Sequence, residues 1–77
     1  MSRLVWIENG TAERRKIVAV VLGPSRSHGK VRVRRWSNAT QRWGAPKAVK
    51  ESDILGPAPE EWSATRRARA HLTEALS

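Results

Sequence analysis

The hydrophobic positions of this chain fall into short clusters, and the period changes from one cluster to the next. Leu4-Val5-Trp6-Ile7 is an apolar run closed by Asn9-Gly10, a strong turn pair, and predicts a short strand. Lys16 to Leu22 is β-branched and almost wholly apolar, and at this length it predicts a buried strand rather than a helix. Gly23 to Gly29 has the composition of a loop, with Pro24, Ser25, Arg26, Ser27 and His28 between the glycines. From Lys30 to Trp36 the chain alternates with period two. Val31 and Val33 then face one side, and Lys30, Arg32, Arg34 and Trp36 face the other. Arg35 falls on the apolar side, which predicts a strand end or a bulge at that position.

Ser37 to Gln41 is a polar connection of hairpin length. Arg42 to Val49 predicts a further strand, interrupted by Gly44 and Pro46. Because Pro has no N–H for a ladder bond, this strand belongs at an edge or begins near Pro46. Ser52 to Gly56 fits either a short helical turn or a last strand, and Pro57 and Pro59 then break the chain. A helix is predicted from Glu60 to Leu76. Pro59 suits its first position, and Glu60 and Glu61 complement the positive end of its dipole. Ala64, Ala68, Leu72, Ala75 and Leu76 fall within roughly 120° of the helical wheel with Trp62 at the margin, a narrow Ala-rich stripe, while Arg66 and Arg67 point away.

The 77 residues make one small domain. Apolar residues are 39% of the chain, and ten of them are Ala. A domain of this size buries roughly 60% of its unfolded surface, which predicts one thin core layer and no deep pocket. The absence of Cys excludes disulfides, thiol nucleophiles and thiolate zinc sites, and His28 and His71 are too few for a metal cluster. No nucleophile has a base partner in the pattern, and the pairs Glu51/Asp53 and Glu60/Glu61 suit turn and dipole roles, so neither catalysis nor a cofactor is expected. Gly23 to Lys30 superficially resembles a phosphate loop, but it has five residues between its glycines, Val31 after the Lys, and a strand rather than a helix to follow. No apolar run approaches the ~20 residues of a membrane span. Glu8, Asn9 and Gly10 arrive too early for a signal peptide, so a cytoplasmic protein without membrane contact is expected. Eleven Arg against four Lys, with abundant Ala, suit a GC-rich genome such as that of an actinobacterium or its phage.

The net charge of +8 is concentrated in one stretch. Residues 14–50 hold eleven Lys and Arg and no acid, whereas residues 51–77 hold three Arg against five acids. The bases are interleaved with Val, Ile and Trp, which marks a folded surface rather than a solvated tail. A purely structural surface normally mixes signs. The candidate phosphate contacts are Arg26, Lys30, Arg32, Arg34, Arg35, Arg42 and Lys47, with Arg14, Arg15 and Lys16 at the margins. Trp36 and Trp43 flank a turn. They either pack against each other across a hairpin or offer a stacking platform. Trp6 and Trp62 read as core. Arg66-Arg67-Ala68-Arg69 reads either as a solvated helix face or as a second phosphate contact.

The order of short strand, polar loop, apolar strand, Gly-containing loop, basic strand, tight hairpin, strand, then Glu51-Ser52-Asp53-Ile54-Leu55, resembles the small SH3-like barrels of the Tudor, chromo-barrel and KOW group. The resemblance covers residues 3–56. It implies a mainly β fold, a bent barrel of about five strands over residues 1–56; the one C-terminal helix expected within residues 57–77 is an addition to the pattern of that group. Members of that group bind RNA, DNA, histone tails or other proteins through loops and one sheet face, so the fold alone does not choose a partner. A methyl-cation cage would need several aromatics and an acid, and only Trp36 and Trp43 are candidates. The expectation is a DNA- or RNA-binding protein that contacts backbone phosphates. The alternative is a protein-binding module, such as a phage or mobile-element product docking on an acidic host protein.

Overall fold

The structure, a computed structural model, describes residues 4–8 and 16–76. Six strands and two short helices follow in chain order: β1 (Leu4–Glu8), β2 (Lys16–Pro24), β3 (Lys30–Ser37), β4 (Arg42–Trp43), β5 (Lys47–Lys50), a 3-10 turn (Glu51–Asp53), β6 (Ile54–Pro57), α1 (Ser63–Ala70) and α2 (Leu72–Leu76). The sheet runs β4-β3-β2-β1-β6, with β5 also paired to β3, and every pairing is antiparallel. The strand expected over Arg42 to Val49 is thus two pieces on the same free edge of β3, split where Gly44 and Pro46 stand. Ser52 to Gly56 supplies both of its alternatives, a 3-10 turn and then a strand.

The expected closure into a five-stranded barrel is not found. No pairing among the described residues joins β6 to β4 or β5, so the sheet is open. It is nonetheless curled, since Val49 on one edge strand and Ile54 on the other pack on the same inner cluster of Val5, Ile7, Ala19 and Val33. β5 faces the end of β1 across a cleft of about 350 Å³ bordered by Ile7, Glu8, Lys47, Val49 and Asp53. Exposed charged side chains stand at that gap instead of a ladder.

The core is not one layer but two. The outer face of the sheet carries a second cluster, with Leu4, Val18, Val20, Trp36 and Trp43 under Ala58, Ala68 and Ala75. This explains the unbroken apolar run of β2, the central strand: it is covered on both faces and has no polar side to keep. The alternation of β3 is observed as expected, with Val33 on the inner face and Trp36 on the outer. Arg35, however, neither ends β3 nor bulges it. The strand runs on to Ser37, Arg35 forms the last pair with β2 opposite Ala19, and the irregularity lies in β2 instead, where Val21 pairs Val33 and Gly23 pairs Arg32.

The C-terminal segment differs from a single helix beginning at Pro59. Trp62 N–H donates to the Pro59 carbonyl (3.2 Å), closing a turn, and α1 begins only at Ser63. Glu60 pairs with Arg69 instead of sitting in the first helical turn. Helix geometry lapses at His71, whose carbonyl accepts from Trp43 Nε1 (2.9 Å), and α2 follows at once. The packed stripe holds Ala68 and Ala75 as expected, together with Thr65, whereas Leu76 is half exposed.

Candidate nucleic-acid interface

Residues Ser25 to Gly29 join β2 to β3 in a loop closed by its own backbone. Ser25 N–H donates to the Lys30 carbonyl and Lys30 N–H to the Ser27 carbonyl, both at 3.2 Å. Gly29 takes a φ of +78°, a conformation that a residue with a Cβ adopts only at a cost. The Gly29 carbonyl accepts from Glu51 N–H (3.2 Å), which fastens the 3-10 turn to the loop. Arg26 and His28 are thereby held exposed beside the start of β3 and the end of β5.

The β3–β5 ladder sets the rest of the geometry. Lys30 lies directly opposite Lys50, and Arg32 directly opposite Ala48. Paired residues share a face, so Lys30, Arg32 and Lys50 stand together on one side with only the small Ala48 among them. All three cations are exposed, and no carboxylate of the described residues pairs with them. A shallow hollow of about 570 Å³ adjoins them, bordered by Arg26, Arg32, Pro46 and Lys47. Like charges directly across a ladder destabilise it.

The other predicted contacts are dispersed. Lys47 lies opposite Val33, and it and Arg35 border the inner cleft, which Lys30 and Lys50 also line, together with the carboxylate residues Glu8 and Asp53. Arg42 is exposed at the far end of the sheet, in a hollow shared with Arg34 and Glu74. Arg34 is committed elsewhere. Its guanidinium donates to the carbonyls of Gly44 (2.9 Å), Glu74 (3.4 Å) and Ala75 (3.2 Å), tying the edge of the sheet to the carbonyl end of α2. A cation there also complements the helix dipole. Lys16 places its ammonium 4.3 Å from the centre of the Trp6 ring. Arg14 and Arg15 lie outside the described residues.

Trp36 and Trp43 face each other across the β3–β4 hairpin as a cross-strand pair, their ring centres 5.2 Å apart and nearly edge to face. Both are buried, at 4% and 9% exposure, and His71 stacks on Trp36 at 5.5 Å. Their N–H groups are satisfied by Asn38 Oδ1 and the His71 carbonyl. With the rings covered, neither can serve as the stacking platform considered for them. Arg34, expected as a phosphate contact, has its Nε and one Nη engaged by backbone carbonyls.

Lys50 was not among the predicted contacts, although it belongs to the acid-free stretch. Its period-two relation to Ala48 was readable, but the register that sets it opposite Lys30 was not. Among the described residues no group of three His, Cys, Asp or Glu could hold a metal ion, and no helix is long and apolar enough to cross a membrane. Comparison with protein-family models, with curated proteins and with solved structures found no match to this chain.

Proposed function

We propose that this protein binds nucleic acid through its phosphate backbone, using the face formed by Lys30, Arg32 and Lys50 and the hollow beside it that Arg26 and Lys47 border. The observation that carries this reading is the juxtaposition of Lys30, Arg32 and Lys50 on one exposed ladder face, with no carboxylate of the described residues paired to them. Such a face condenses anions, and a polyanion that displaces its own counterions onto it gains affinity from their release. The antiparallel order with β6 returning beside β1, and a 3-10 turn before β6, supports an SH3-like reading of the fold. The proposed face then lies where the β2–β3 loop, the start of β3 and the edge strand β5 meet, and loops beside a rigid sheet are common sites of partner binding.

The test is a titration of a fluorescent duplex and of a single strand over a range of salt concentrations. Five or six neutralised phosphates give a slope of log affinity against log salt of roughly −4 to −5. Arg32→Glu with Lys50→Glu flattens that slope, whereas Arg66→Glu with Arg67→Glu on α1 leaves most of it. A flat response in the unaltered protein overturns the proposal. Loss confined to the α1 pair moves the contact surface to the helix.

A further inference from the structure

A second cleft, of about 670 Å³, opens between the start of α1 and the outer face of β2 and β3. Its lining includes Lys16, Trp36, Asn38, Gly44 and Trp62, and no carboxylate among the described residues. Resting on the nucleic-acid reading above, we propose that this cleft receives one unpaired base, so that the partner is a single strand rather than a duplex.

Three features of the lining fit a base. Trp62 is the half-buried indole of the lining, whereas Trp36 beside it is buried. Trp62 is held edge to face against Trp6, with ring centres 5.4 Å apart, so its orientation is set before any ligand arrives. Lys16 places its ammonium over Trp6 of that pair and also lines the cleft. Asn38 is the third feature. Its Oδ1 accepts from Trp36 Nε1 at 3.0 Å, which fixes the amide, and its NH₂ donates to no described residue. Aromatic surface, a fixed amide donor and a cation match a flat ring that carries carbonyl acceptors and a nearby phosphate. The volume falls within the range of small-ligand sites. A paired base is stacked within a duplex and cannot enter.

The cleft also adjoins the basic face. Gly44 borders the cleft and Pro46 borders the hollow beside Arg32, and the exposed segment Gly44–Ala45–Pro46 joins them. Along β3 the two regions are four residues apart, from Arg32 to Trp36, or about 13 Å of strand. One extended strand thus reaches both, with its backbone on the cations and a base in the cleft.

The full chain is titrated at one salt concentration with oligothymidylate, with an abasic strand of the same length and charge, and with a duplex. Oligothymidylate is expected to bind about tenfold more tightly than the abasic strand, the increment of one good base–aromatic stack. Trp62→Leu, which keeps an apolar side chain against Trp6, abolishes that difference and leaves the abasic affinity unchanged. Should that variant not fold, Asn38→Ala in the exposed turn decides the matter, with an expected loss of about threefold for oligothymidylate alone. Equal, salt-dependent affinity for the two strands overturns the cleft assignment and leaves the basic face standing. Absence of salt-dependent binding to all three probes overturns both.

Discussion

Arg32 and Arg34 are two residues apart on one face of one strand, yet they do different things. Arg32 is exposed on the basic face, and Arg34 donates to carbonyls of residues 44, 74 and 75. Arg34→Met keeps the aliphatic stem and removes the donors. It is expected to destabilise the fold by about 1–2 kcal/mol, since charged hydrogen bonds are lost and part of the site is solvent-screened. Arg32→Met is expected to leave stability nearly unchanged and to weaken binding to a single strand severalfold. Denaturant titration and oligonucleotide affinity, measured on both variants, separate the roles; equal stability of the two would refute the anchoring function of Arg34. The period-two pattern showed which face both residues share. It could not show that a helix end from forty residues later would supply acceptors to one of them. Trp36 and Trp43 illustrate the complementary case. Their cross-strand pairing was legible from the turn between them, but the covering by His71 depends on where the chain breaks between α1 and α2.

Strands were more legible than helices because their signals are local. β2 announced itself by a continuous β-branched run, and Gly44 with Pro46 marked the edge that β4 and β5 share. The start of the helix was misplaced because Pro59, Glu60 and Glu61 satisfy local rules for a first turn, while Trp62 is drawn into the Trp6 contact instead. The bulge in β2 also escaped notice, although Gly23 marked it. Gly23 takes a φ of +152°, and a side chain there has open space but an unfavourable backbone. Gly23→Ala is therefore expected to destabilise the protein by about 1 kcal/mol through the main chain alone. The bulge turns the end of β2 and the loop bearing Arg26, so the same change should also weaken nucleic-acid binding. A thermal melt that matches the unaltered protein would show that the backbone can relax, and would remove the bulge as a constraint on the loop.

At the scale of the whole molecule the sequence showed that positive charge is segregated but not that it divides. Some cations are absorbed by structure, as Arg34 is by α2 and Lys16 is by Trp6. Others share the inner cleft with Glu8 and Asp53. Where β3, β5 and the β2–β3 loop meet, Arg26, Lys30, Arg32 and Lys50 are exposed and none is ion-paired to a described carboxylate. Self-repulsion there lowers stability for as long as no anion is bound, so stability and binding are opposed at Lys30 and Lys50. Lys50→Glu puts an opposite charge directly across from Lys30 and is expected to stabilise the unliganded protein by about 0.5 kcal/mol. The same change removes one phosphate contact and repels another, so the salt slope should flatten by at least about one unit. A polyanion that binds the folded state raises the melting temperature of the unaltered protein by an increment that grows with the logarithm of its concentration relative to Kd, and the variant should lose most of that increment. Melting curves with and without oligonucleotide, at low and high salt, give all of these quantities together. If Lys50→Glu lowers the unliganded melting temperature, the repulsion across this ladder is not a feature of the folded protein, and the basic face loses the energetic tension that distinguishes it from an ordinary solvated strand.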